Sequence, residues 1–148
     1  MEHSSKYARI LVPTDGTEEA QCAVCLAGEL ASMLASSLDL LYVSPFDART
    51  DEGHVAWLPD SVVRPAAEEA RAIFTAAAAR LPDGISHTQH HRTGAAADEI
   101  LRFIDERGIG LLVIGGRKHS RVSGILLGSV TQTVLERSGC AVIVAGGI

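Results

Sequence analysis

Four short apolar runs stand out along the chain, and none of them alternates with polar residues. They are Ile10 to Val12, Leu38 to Val43, Leu111 to Ile114 and Ala141 to Val144. Such runs are typical of strands in a parallel sheet, because helices cover both faces of each strand. The hydrophobic pattern therefore predicts a buried, mainly parallel sheet.

Between these runs the apolar positions recur at helical spacing. The first helix is predicted from Thr17 to Leu34, with Thr17 as its cap and Glu18 and Glu19 near its positive N-terminal end. Three more helices are predicted over about Pro65 to Arg80, near Ala96 to Glu106, and from Ser129, where Ser129-Val130-Thr131-Gln132 has the form of a capping box.

A polar segment, Ile85 to Arg92, lies between the second and third predicted helices. If it forms a strand, it belongs at a sheet edge, where polar side chains are tolerated. Strands and helices then alternate along the chain, which predicts an α/β, doubly wound fold with right-handed crossovers and helices on both faces. The 148 residues fit a single domain over residues 1–148.

Composition changes the picture mainly by excluding partners. Lys and Arg total 13 against 18 Asp and Glu, so no broad positive field is present to attract nucleic acid or an anionic membrane. We find no apolar stretch long enough for a membrane span and no signal-peptide pattern. Three cysteines are an odd number and too few for a disulfide framework. We therefore predict a cytoplasmic protein without nucleic-acid or membrane partners.

Two segments are predicted to meet at the carboxyl ends of the strands, where open α/β sheets bind ligands. Pro13-Thr14-Asp15-Gly16 follows the first strand, and the stretch from Gly115 to Ser129 follows the fourth. A carboxylate suits ribose or adenine, and the free N–H groups of a helix start suit phosphate. The second stretch also holds a local basic cluster, which a solvated loop would equally explain: Arg117, Lys118, His119 and Arg121.

The order of these motifs resembles that of the universal stress protein family. The matching segments are Ile10 to Thr17, Leu41-Tyr42-Val43, Arg92-Thr93-Gly94 and Gly115 through Val144. The resemblance implies a five-stranded parallel sheet in the order 3-2-1-4-5 and a homodimer joined through the last strand. Ala141 to Ala145 also suits an edge strand that pairs with its own symmetry mate.

Nucleotide-binding members of that family share a signature of the form G-x2-G-x9-G-S/T. Here Gly115, Gly128 and Ser129 match its first, third and last positions, and Lys118 stands at the second glycine. The resemblance implies a site for ATP, alone or with Mg²⁺, or for another adenine nucleotide. It places Thr14 and Asp15 against ribose and adenine and Gly115 near the ribose. The full set of expected binding residues is Pro13, Thr14, Asp15, Val43, Gly115, Lys118, Gly128, Ser129, Val130 and Thr131, of which Val43 offers its backbone to the adenine edge and the last four surround the phosphates.

Lys118 leaves more than one function open. A left-handed backbone at this position would strain a lysine by about 1 to 2 kcal/mol, whereas an ammonium–phosphate hydrogen bond contributes about 1.5 to 3 kcal/mol. These ranges overlap, so both an ATP-binding regulatory protein and a ligand-free dimeric interaction protein fit the sequence. A weak ATPase is a third interpretation, although no water-activating base is evident and no catalytic residue is predicted.

Two further motifs are interpreted as structural. Cys22 and Cys25 have redox spacing, but they fall inside the first helix on its polar side, where neither the dipole nor helical geometry favours disulfide chemistry. Among His87, His90 and His91, the middle one points away from the other two on a strand, and no acidic or cysteine partner is near in sequence. We therefore predict no metal site.

Overall fold

The computed structural model describes residues 6–44, 60–116 and 128–146, and of residues 60–66 it describes the backbone alone. Strands and helices alternate through these ranges, as the hydrophobic pattern predicts. The elements are β1 (Arg9–Pro13), α1 (Glu18–Leu34), β2 (Ser37–Ser44), α2 (Asp60–Ala78), β3 (His87–Thr93), α3 (Ala96–Arg107), β4 (Leu111–Gly115), α4 (Ser129–Arg137) and β5 (Ala141–Ala145).

The strands form one parallel sheet in the order β3-β2-β1-β4-β5. This order confirms the predicted doubly wound α/β class. β1 lies at the centre, with β2 on one side and β4 on the other. The chain adds strands outward in one direction from β1 to β3 and then returns to the other side of β1. The carboxyl ends of β1 and β4 therefore flank the point where strand order reverses.

Each face of the sheet has its own apolar core. Ile10 and Val12 pack with α1 and α2 on one face, whereas Leu11 packs with α3 and α4 on the other. All three side chains are fully buried, which explains the uninterrupted apolar run of this strand. Among the helices that the structure describes, none is long and apolar enough to cross a membrane.

The start of α2 and the cap of α4 differ from the sequence-based expectation. α2 begins at Asp60 rather than near Pro65. The predicted start is too late because proline is typical of the first turn of a helix, and the sequence pattern therefore favours a start at Pro65. α4 begins at Ser129 as predicted, but the expected capping box is wrong. Gly128 occupies the cap position, and its carbonyl accepts the first helical hydrogen bond from the Gln132 N–H at 2.9 Å. Ser129 is thus already inside the helix and does not cap it.

The polar strand β3 lies at the sheet edge, as predicted, and a buried carboxylate holds it there. Asp39 of β2 is 3% exposed. Its Oδ2 lies 2.8 Å from Nη2 of Arg9, and its Oδ1 lies 2.9 Å from Nε2 of His90. His91 points to the opposite face and stacks on Tyr42, with ring centroids 5.3 Å apart. Within the described ranges, no three His, Cys, Asp or Glu side chains form a metal-binding group.

The three cysteines are free. Cys22 and Cys25 are half-buried, and Cys22 packs against the core beneath α1. The projection that placed both thiols on the polar side of the helix is therefore wrong for Cys22. Its position beside the apolar core is that of a small hydrophobic side chain.

Candidate functional site

A cleft with two adjoining parts opens at the carboxyl edge of the sheet, beside the ends of β1 and β4. The first part, which we call the apolar part, has a volume of about 170 Å³, and the second, the polar part, about 180 Å³. Asp15, Thr17, Gly115, Val130 and Thr131 line both parts. The apolar part is completed by Pro13, Thr14, Ala20, Leu41, Val43, Ala96, Ile100 and Ile114, and the polar part by Glu19, Gly116, Gly128 and Ser129.

The structure brings nine of the ten expected binding residues to this one cleft. They are Pro13, Thr14, Asp15, Val43, Gly115, Gly128, Ser129, Val130 and Thr131. Lys118, the tenth, lies outside the described residues, as does the rest of the basic cluster from Arg117 to Arg121.

Sequence reasoning missed several residues of the cleft wall. Ala96 and Ile100 of α3 line the apolar part, and Glu19 of α1 lines the polar part. Apolar residues on one face of a helix, such as these two on α3, carry no sequence signal for a site. Glu19 was predicted only as a partner for the helix dipole, although its place in the first turn of α1, four residues after Asp15, could have indicated a second role.

Asp15 is exposed, and Thr17, the N-cap residue of α1, holds its carboxylate in place. The backbone N–H of Thr17 donates to Oδ1 of Asp15 at 3.0 Å, and the Thr17 hydroxyl donates to the same oxygen at 2.7 Å. The Thr17 hydroxyl oxygen also accepts from the Ala20 N–H at 3.2 Å. Thr17 is therefore the cap of α1, as predicted, and it connects that helix to the cleft carboxylate.

Thr14 contributes a buried hydroxyl to the wall of the apolar part. Thr14 is 3% exposed, and its backbone N–H donates to the Leu41 carbonyl at 2.8 Å. The Oγ1 atom has no hydrogen-bond partner in the described part of the chain. An unpaired buried hydroxyl costs about 1 to 3 kcal/mol, so it marks an incompletely satisfied place in the cleft wall.

At Gly115, β4 lies close to both α1 and α4. A Cβ atom at this position would lie 2.5 Å from the Glu19 carbonyl oxygen, which only glycine avoids. The Gly115 carbonyl also accepts a hydrogen bond from the Thr131 hydroxyl at 3.1 Å. The close approach of α1 thus requires a glycine here whether or not a ligand is bound.

The N-terminus of α4 presents free donors to the polar part of the cleft. Gln132 makes the first helical hydrogen bond, so the N–H groups of Ser129, Val130 and Thr131 have no partner inside the helix. Gly128 has no side chain with which to cap them. These donors and the positive end of the helix dipole together favour an anion.

A family model decides the identity of this chain. The model of the universal stress protein family matches residues 6–146. This chain is a universal stress protein family member. Among its relatives is the universal stress protein YxiE of Bacillus subtilis, which is 26% identical over 145 residues that cover 93% of this chain and 98% of the relative.

Solved structures of universal stress proteins share the fold. A family member from Burkholderia pseudomallei superposes with a TM-score of 0.71 at 28% identity, covering 95% of this chain and 97% of that one. A second universal stress protein, solved in complex with cAMP, has a TM-score of 0.66 at 26% identity, with 95% and 97% coverage. That relative therefore holds an adenine nucleotide.

Tyr42 of this universal stress protein lies in β2 between two cleft-lining residues, Leu41 and Val43, and packs on the α1 and α2 face of the sheet. Burial raises the pKa of its phenol above the ordinary 10.0, and the nearby Glu69 carboxylate raises it further by its charge and by a hydrogen bond. A hydrogen bond with Ser44 lowers the Tyr42 pKa and so opposes part of this rise, and the charge of Asp15 adds the smallest increase. The charge of the Asp15 carboxylate in the cleft therefore acts on the Tyr42 phenol near the end of β2.

Proposed function

We propose that this universal stress protein binds an adenine nucleotide, with ATP as the favoured ligand, and that occupancy regulates which partner it meets in a stress response. One observation carries the proposal. A single cleft joins an apolar part, suited to a purine ring, to the uncapped N-terminus of α4, suited to phosphate. The relative in complex with cAMP supports the same ligand class.

In this proposal each side of the cleft has a distinct role. Thr14 and Asp15 contact the ribose and adenine, the backbone of Val43 meets the adenine edge, and Gly115 lies near the ribose. The N–H groups of Ser129, Val130 and Thr131, with Gly128 before them, hold the phosphates, and the positive charge of Lys118 makes it a further candidate partner for them. The carboxylate of Asp15, which lines both parts of the cleft, fits a Mg²⁺ ion that is bound together with phosphate oxygens.

The test is a calorimetric titration of the purified protein with ATP and Mg²⁺, and separately with cAMP. We expect saturable binding that Gly128→Val weakens by at least about tenfold, because branched methyl groups would crowd the phosphates and loss of one charge-assisted hydrogen bond costs about 1.5 to 3 kcal/mol. Gly139→Val is the matched control, since a Cβ at Gly139 meets nothing within 4 Å. Lys118→Gly then shows whether the lysine helps or hinders binding.

Three outcomes would each change the proposal. Equal affinity of the Gly128→Val and Gly139→Val proteins for ATP would show that the phosphates do not bind at the N-terminus of α4. If neither the wild type nor the Lys118→Gly protein binds ATP or cAMP measurably, the proposal of nucleotide binding is contradicted. Release of inorganic phosphate that depends on Asp15 and Ser129 would indicate a weak ATPase instead.

A second candidate function is a ligand-free dimeric interaction protein, and the edge strand β5 favours it. Val142, Ile143 and Val144 are only half-buried, whereas the equivalent residues of β4 are fully buried. β5 pairs with β4 on one side and is an edge of the sheet on the other. An edge strand of this kind suits antiparallel pairing with the β5 of a second copy.

We propose that homodimer for either function, and solution measurements test it. Sedimentation should show a concentration-dependent dimer, and hydrogen exchange should slow with concentration at those β5 amides that do not pair with β4. A monomer at all concentrations would contradict the dimer. A dimer that binds no nucleotide would favour the second function over the first.

A further inference from the structure

We infer that Thr17 is a positioning residue of the nucleotide site, which holds the Asp15 carboxylate so that its second oxygen is left for the ligand. The inference rests on the proposed function, because it takes Asp15 to contact the bound nucleotide. It adds a residue outside the expected binding set and assigns it a role that acts through another side chain.

The hydrogen bonds that the described residues donate to the Asp15 carboxylate are both on one oxygen. Both Thr17 donors, the backbone N–H at 3.0 Å and the hydroxyl at 2.7 Å, reach Oδ1. Oδ2 accepts no hydrogen bond from the residues that the structure describes. An exposed carboxylate with two donors on one oxygen has a restricted rotation, and its free oxygen has a defined place at the junction of the two cleft parts.

This restriction removes part of the cost of binding. A freely rotating side chain must be ordered when a ligand engages it, whereas a side chain already held in place needs little further ordering. Ordering one side chain corresponds to roughly a two- to tenfold change in dissociation constant. Thr17 should therefore affect affinity by that factor, and only when Asp15 is present.

Thr17 also caps α1 through the Ala20 N–H, so the test must separate capping from positioning. Thr17→Ser keeps both the hydroxyl donor and the cap. Thr17→Asp keeps a cap acceptor, but it has no hydroxyl donor for Asp15 and repels it. Thr17→Val loses both the cap and the hydroxyl donor, and all three variants keep the backbone N–H that donates to Asp15.

The first measurement is a calorimetric titration with adenosine, which is uncharged and therefore insensitive to the added charge of Thr17→Asp. We expect Thr17→Ser to bind like the wild type, and Thr17→Asp and Thr17→Val to bind roughly two- to tenfold more weakly. Urea unfolding should meanwhile show Thr17→Asp to be more stable than Thr17→Val. If Thr17→Asp binds adenosine as well as Thr17→Ser does, the positioning role is wrong.

The second measurement is a double-mutant cycle with ATP and Mg²⁺, combining Thr17→Val with Asp15→Ala. A residue that acts through Asp15 should cost nothing further once Asp15 is removed. An equal loss in both backgrounds would show that Thr17 supports only the helix, and it would overturn the inference while leaving the proposed function intact. If Asp15→Ala abolishes binding, the adenosine series decides alone. A wild type that binds neither ligand would overturn the proposed function, and this inference with it.

Discussion

The two helices that begin at the cleft, α1 and α4, start in opposite ways. The first turn of α1 is satisfied by the chain itself, because Thr17 caps it and Glu18 and Glu19 lie beside its positive end. The first turn of α4 has no side-chain cap and no acidic residue. The N-terminus of α1 is thus complete without a ligand, whereas that of α4 keeps both its donors and its dipole for one.

Two threonine hydroxyls in the cleft wall, those of Thr131 and Thr14, show the reverse arrangement. On the α4 side, the Thr131 hydroxyl donates to the Gly115 carbonyl. On the α1 side, the Thr14 hydroxyl has no partner among the described residues. Each side therefore combines satisfied and unsatisfied groups. On each side, the unsatisfied groups belong to residues that line the cleft.

The largest expected effect concerns these two hydroxyls, since the same substitution should act in opposite directions. Thr131→Val leaves a carbonyl without its donor and should lower the free energy of unfolding by about 1 to 3 kcal/mol. Thr14→Val replaces an unpaired hydroxyl with a methyl group of the same shape and should raise it by about 1 kcal/mol. Urea unfolding of the ligand-free variants measures both changes.

The serine variants serve as controls for this pair. Thr14→Ser and Thr131→Ser keep the hydroxyl and lose a methyl group, so each should be destabilised by an amount unrelated to hydrogen bonding. Destabilisation by Thr14→Val would show that the Thr14 hydroxyl is already paired in the ligand-free protein. The contrast between the two sides of the cleft would then fail.

Much of the fold could be predicted because the sheet is parallel and covered on both faces. Strands of this kind appear as uninterrupted apolar runs, such as Ile10 to Val12. The strand order did not follow from those runs and came with the family resemblance. Likewise, Asp15 and Gly115 could be expected to meet, since both follow strands whose carboxyl ends share one edge. Ala96 and Ile100 could not, because they reach the cleft only through the packing of α3.

The contacts that sequence reasoning missed depend on register and on close approach. His90 has no acidic neighbour along the chain, but the pairing of β2 with β3 brings Asp39 to it. Gly115 looked like a residue spared for a ribose, yet the Glu19 carbonyl already requires a glycine there. Neither the spacing of residues nor a motif encodes these distances, because they arise only when separate elements are packed together.

The smallest expected effect is electrostatic, and it tests how far the charge on the α1 side of the cleft extends. Because the folded pKa of Tyr42 lies above the 10.0 of the unfolded chain, the unfolded state loses its phenol proton first, and stability should fall as the pH rises above 10.

Absorbance titration of a Tyr7→Phe protein isolates this phenol, since the chain has two tyrosines. Glu69→Gln should lower the Tyr42 pKa, and Asp15→Asn should lower it by less, because Glu69 contributes both charge and a hydrogen bond whereas Asp15 contributes charge alone. An Asp15→Asn shift as large as that of Glu69→Gln would mean that the cleft carboxylate lies closer to Tyr42 than its hydrogen bonds to Thr17 allow.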